Sequence, residues 1–138
     1  MKQVLSVEQS AELIKRGVSA DKASMVCMNF NGTYAYMCGE EAQTIRDCVN
    51  GQFYVEESRV FSLSDLLSLL PKTIHPGRYY LDLSYGFGDW TASYILWDDC
   101  DEGTYIRDTQ GEKTADELVD ALYKLLLWAI DHNHVKLD

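Results

Sequence analysis

The chain has 138 residues, 46% of them hydrophobic and 25% charged, which is the make-up of an ordinary folded domain and excludes a disordered or fibrous chain. Its length suits a single domain over 1–138, since a chain of that size can bury roughly two-thirds of the surface its unfolded form exposes. Twenty-two acidic side chains against 12 basic ones give a net charge of −10, a field that repels nucleic-acid phosphates and removes DNA and RNA from the expected partners.

The start, MKQVLSVEQSAELIKRG, has polar residues every few positions. It offers neither the apolar core of a signal peptide nor a membrane span, so the expectation is a cytoplasmic protein without membrane contact. Ser6 with Gln9 three positions on has capping-box spacing, and Ala11, Leu13 and Ile14 follow before Gly17, which predicts a helix of about three turns. In SMVCMNFNGTYAYMC, Asn31-Gly32 separates two strand-forming runs and predicts a two-residue hairpin. That register sets Phe30 opposite Thr33 and Cys27 opposite Tyr36, and puts Val26, Met28, Phe30, Ala35 and Met37 on one core face. Cys38 then lies one diagonal step from Cys27, at roughly 7 to 8 Å, too far for a disulfide without backbone movement.

GEEAQTIRDCVNG, residues 39–51, carries acidic residues where a helix start favours them. QFYVEESRVF reads as a weaker strand broken around Glu56-Glu57. Ser62 and Asp65 repeat the capping-box spacing, Phe61 and Leu66 are spaced for a hydrophobic staple, and Leu63, Leu66, Leu67 and Leu70 recur at helical intervals until Pro71.

The aromatic stretch that follows predicts a second hairpin about Phe87-Gly88. Tyr79, Leu81, Leu83 and Tyr85 then face Leu96, Tyr94, Ala92 and Trp90 as a core surface, while Arg78, Tyr80, Asp82 and Ser84 face Trp97, Ile95, Ser93 and Thr91. Gly86-Phe87-Gly88 lacks the helix that a phosphate-binding loop requires after it, so the glycines serve the turn. A third strand is expected over 104–108. Thr114 with Glu117 as its box partner opens a long helix whose stripe is Leu118, Val119, Leu122, Leu125, Leu126, Ala129 and Ile130. Paired strands with helices between the pairs indicate an α+β fold: an antiparallel sheet built from hairpins, with three to four helices packed mainly on one face. A doubly wound sheet is the alternative.

Signatures of chemistry are sparse. Four cysteines without C-x-x-C spacing read as reduced thiols. The chain contains no G-x-S-x-G, H-E-x-x-H or G-x-x-x-x-G-K-[ST], so no catalytic residue and no cofactor is expected. A calcium loop begun at Asp98 would place Cys100 third and Thr109 twelfth, where a bidentate Glu belongs, which leaves only a looser carboxylate site among Asp98, Asp99, Asp101 and Glu102. His132 and His134 are too few for a closed zinc site and read as a fraying helix end, and His75, ahead of Pro76, reads as a connecting turn.

What stands out is a surplus of large residues on surfaces. Tyr80, Ile95 and Trp97, with Arg78 beside them, form a patch of hot-spot residue types on the second hairpin. Leu127 and Trp128 fall off the stripe of the last helix, to be covered either by the tail HNHVKLD or by a second copy of the chain. Three blocks, LSVEQSAELIKRGVSADKASM, FSLSDLLSLLPKTI and ELVDALYKLLLWAIDH, together resemble a family of short uncharacterised proteins encoded by gut anaerobes and their prophages or mobile elements. That resemblance carries no activity or site residue and implies a small cytoplasmic accessory protein. The expectation is a non-enzymatic interaction module that binds a protein partner or itself as a homodimer. The rivals are an acidic inhibitor or nucleic-acid mimic that occupies a basic protein surface, and a metal-binding protein or enzyme built on the 98–102 loop.

Overall fold

The computed structural model describes residues 1–49, 55–75 and 77–137. Among them are four α-helices, one 3-10 turn and seven strands in two antiparallel sheets, the α+β class with a long C-terminal helix. The described chain falls into two compact units, one built from Val4–Asp65 together with Leu137, the other from Met1–Gln3 and Leu66–Lys136.

In the first unit, α1 (Val7–Lys15) begins where the sequence places it: Ser6 Oγ accepts from the Gln9 amide at 3.1 Å and Gln9 Oε1 accepts from the Ser6 amide at 3.0 Å. Each side chain satisfies an amide that the first helical turn leaves without a partner. Strands β1 (Met25–Phe30) and β2 (Thr33–Cys38) meet in the expected register, with Asn31 and Gly32 both at positive φ in the turn. Helix α2 (Gly39–Val49) lays Ala42 and Ile45 on Val26, Met28 and Met37, the predicted core face. Phe30 is exposed at the turn end of that face instead of joining it.

Strand β3 (Glu56–Val60) completes the order β2-β1-β3, pairing with β1 from Met25↔Val60 to Asn29↔Glu56. The start of the predicted strand, Gln52 to Tyr54, lies outside the described residues. Helix α1 packs on β3 and borders the face that carries Cys27 and Asn29, so this sheet has helices on both sides and not mainly on one. All four cysteines are free thiols, and Cys27 sits opposite Tyr36 while Cys38 pairs with Met25.

Helix α3 (Leu63–Leu69) opens on the second capping box, with Ser62 N donating to Asp65 Oδ2 at 2.8 Å and Asp65 N to Ser62 Oγ at 3.2 Å. The same Asp65 oxygen also accepts from the Ser24 amide and hydroxyl, both at 2.8 Å, which ties the entrance of β1 to the helix start.

In the second unit, β4 (Thr73–Ile74), β5 (Tyr79–Gly86), β6 (Asp89–Cys100) and β7 (Gly103–Ala115) form the second sheet in that order. The hairpin turns on Phe87 and Gly88, both at positive φ, and its register is the predicted one from Gly86↔Asp89 to Tyr80↔Ile95. The strands therefore divide into two sheets where the sequence suggested one. The third strand also runs well beyond 104–108, because β7 continues through Thr114, which pairs with Thr91.

Helix α4 (Leu118–Asp131) thus starts after Glu117 and without a side-chain cap, correcting the predicted start at Thr114. The Glu117 carboxylate is taken by the Lys2 amide at 2.9 Å, and Lys2 Nζ bonds Asp120 at 2.8 Å. Helix α4 packs on β6 and β7, burying Leu118, Val119, Leu122, Leu125, Leu126 and Ala129. On β6 the fully buried Tyr94 donates its hydroxyl to the Pro71 carbonyl at 2.7 Å, and burial holds its phenol well above the usual tyrosine range.

Asp65→Ala removes one acceptor from three donors at two element starts. It should lower stability by about 1–2 kcal/mol, seen as a lower urea midpoint at unchanged slope.

Candidate interaction surface

Strand β6 outruns its neighbour. Its ladder with β5 stops at Tyr80↔Ile95, whereas its ladder with β7 continues through Leu96↔Asp108, Trp97↔Ile106, Asp98↔Tyr105 and Asp99↔Thr104 to Cys100↔Gly103. The result is a two-stranded ribbon that extends past the four-stranded part of the sheet. A register irregularity between Leu96 and Trp97 marks its base; such an extra residue bends a ribbon and increases its twist. Trp97 and Ile106 stand directly across from one another at 44% and 50% exposure, and Tyr105, one step on, is 48% exposed. Cross-strand pairing of this kind brings side chains within about 5 Å at Cβ, so the two large residues form one continuous apolar spot.

By strand alternation Tyr80, Ile95, Trp97 and Ile106 share a face. Tyr80 is 52% exposed, but Ile95 is only 5% exposed and forms part of the core rather than the contact surface proposed for it from sequence. Arg78 precedes β5 in an exposed turn and lies outside the ladder, so it does not sit across from Trp97 as the extended register required. Sequence alone does not single out Ile106 and Tyr105, because it predicts the third strand without its register.

The acidic run proves to be the tip of this ribbon, with Asp101 and Glu102 as the turn and Gly103 at φ 130. Asp98 Oδ2 receives Arg107 Nη1 at 3.4 Å and the Tyr105 hydroxyl at 3.5 Å, and Asp99 Oδ1 receives the Thr104 hydroxyl at 2.8 Å. Two of the four carboxylates are thus directed along the strands, and among the described residues no three His, Cys, Asp or Glu side chains are arranged to hold a metal ion.

Leu127 and Trp128 are half-buried on α4. The Trp128 indole lies over Gly111 so closely that a Cβ there would meet its ring at 2.6 Å, and Gly111 is at φ 70, a conformation that favours glycine. On its other sides it stacks with His132 at 4.8 Å between ring centroids and meets His134 at 5.1 Å and Tyr94 at 6.3 Å. Of the two covers considered from sequence, residues at the start of the tail take this place. The helix end does not fray: Asn133 adopts φ 61, its amide donates to Ile130 O at 3.1 Å, and the His134 amide donates to Ala129 O at 2.8 Å. These two bonds are the Schellman arrangement, with Asn in the left-handed position after the cap. Asn133 between the two histidines was the sequence signal for it.

The first unit holds a shallow cleft of about 170 Å³, lined by Glu8 and Glu56 with Cys27, Asn29, Tyr34 and Ser58. Burial pushes the Cys27 thiol up, away from the reactive thiolate, and no histidine occurs in the sequence of this unit to act as its base. No protein family, curated protein or solved structure matches the chain. No described helix is long and apolar enough to cross a membrane.

Gly111→Ala should cost about 1–3 kcal/mol through overpacking. The near-ultraviolet circular dichroism signal should shrink as Trp128 is displaced; an unchanged spectrum and melting temperature would show that the indole is not seated there.

Proposed function

We propose that the chain is a non-enzymatic interaction protein that binds a protein partner through the β6–β7 ribbon. The observation that carries this reading is the half-exposed Trp97–Ile106 pair, with Tyr80 on the same face, on a ribbon that extends past the ladder with β5. Trp and Tyr are the residue types most enriched among binding hot spots, and folded domains seldom leave several large apolar side chains together at a protruding end without use.

The partner is one that offers an apolar recess bordered by lysine or arginine. Asp98, Asp99, Asp101 and Glu102 crowd the tip against Arg107 as the basic side chain within the ribbon, so a second copy docking tip to tip would bring like charges together. Four free thiols support a reducing, cytoplasmic location for the encounter. The resemblance to short uncharacterised proteins of gut anaerobes and their prophages or mobile elements, which implies a small accessory protein, fits this role.

The second reading is the acidic inhibitor, in which the carboxylates themselves occupy a basic surface. It is favoured by the net charge and by Asp101 and Glu102, which are exposed at the turn. The two readings differ in their response to ionic strength: a contact centred on Trp97 survives high salt, whereas one made by exposed carboxylates weakens steeply.

Affinity capture from host lysate with wild-type chain and Trp97→Ala, at low and high salt, separates them. A protein held at high salt by wild type and bound roughly 30-fold more weakly by Trp97→Ala, as expected for a hot spot near 2 kcal/mol, supports the aromatic contact. Equal retention by both chains, with unchanged circular dichroism, overturns it, and loss at high salt from both assigns the binding to the carboxylates.

A further inference from the structure

We propose that His134, packed among Trp128, His132 and His75, is a pH-sensitive latch, which when neutral holds the start of the tail against the indole and when protonated releases it and uncovers Trp128. These are all the histidines the chain has, and they come from separate places: His75 from the turn between β4 and β5, His132 from the cap of α4, and His134 from the tail.

His134 is the centre of the group. Its ring meets His75 edge-on at 4.8 Å between centroids, lies 5.1 Å from Trp128, and runs parallel to His132 at 6.3 Å. The neighbouring partners hold the other two rings in place. His132 Nδ1 lies 2.8 Å from the Trp128 carbonyl and therefore carries the hydrogen it donates there. His75 Nε2 faces Gln110 Oε1 at 3.3 Å and donates in the same way. His75 also holds φ 49, a backbone state that a non-glycine residue keeps only when its surroundings impose it.

The other titratable groups that face the cluster give little relief to added positive charge. From β5 comes Tyr79, in ring contact with His75 at 5.4 Å; its hydroxyl is donated to Asp108 of β7 at 2.7 Å, so that carboxylate is already engaged. From β6 comes Tyr94, whose hydroxyl is given to Pro71. Asp131 and Lys136 flank the cap along the chain and leave the local charge balanced. Trp128 can stabilise one imidazolium over its face, but the rings of His75 and His132 crowd His134 at 4.8 and 6.3 Å between centroids.

The direction of titration agrees with this geometry. Burial, then His75 and then His132 hold His134 below the ordinary value of 6.5. The released segment therefore binds protons more readily than the docked one. Docking is at full strength above pH 6.5 and is lost as the pH falls through the docked value.

The test is an NMR titration of the wild-type chain from pH 8 to 5, following the histidine Hε1 and tryptophan indole resonances. The expected result is a His134 midpoint below 6.5, a Trp128 indole shift with the same midpoint, and faster backbone motion at 133–136 below it. His75→Gln should move the His134 midpoint upward by removing one repulsive neighbour, and His134→Gln should abolish the Trp128 step. A His134 midpoint at or above 6.5, or a Trp128 resonance that stays put through the range, overturns the latch. The wild-type titration decides the matter even if a variant fails to fold.

Discussion

Strand β6 organises the second unit because it is hydrogen-bonded along both edges over its first half and along only one edge over its second. The doubly paired half supplies Ala92 and Tyr94 to the surface on which α4 packs, and Ser93 and Ile95 on the opposite side are buried as well. The singly paired half has no such support, so Trp97 stands half exposed. A single strand thus passes from buried to half exposed within three residues, and the place of the change is set by where the ladder with β5 ends.

Much of this was legible in local chemistry. Asn31-Gly32 and Phe87-Gly88 are turn pairs whose backbone preferences dictate a two-residue loop, and a two-residue loop dictates register, so both ladders were predictable residue by residue. Ser6 with Gln9 and Ser62 with Asp65 announced two helix starts by the same reciprocal bonding. Thr114 with Glu117 misled for a physical reason: the spacing is necessary for a capping box but not sufficient, and Thr114 gains a ladder partner in Thr91 while Glu117 gains the Lys2 amide. Local pattern could not weigh those distant partners.

The surface residues show the same limit more sharply. Alternation put Ile95 and Trp97 on one face, correctly, but alternation says nothing about how far along a strand the cover extends, so one is buried and the other is not. Trp128 was recognisable as a large residue off the apolar stripe, whereas its seat on Gly111, and the meeting of His75 with the His134 that covers it, depend on contacts more than fifteen residues apart in sequence. Sequence reasoning found the side chains that needed company and could not say which would find it within the chain.

Among the described residues no strand pairs with β6 beyond Ile95 on the side of β5. A strand edge with open amides and carbonyls invites another strand to add to it, and here aromatic side chains would make such an addition adhesive. Asp98 and Asp99 lie on that stretch, with Asp101 and Glu102 at its tip, and a strand drawn from another copy would set carboxylate against carboxylate. Repulsion of that kind opposes fibre-like stacking along this edge.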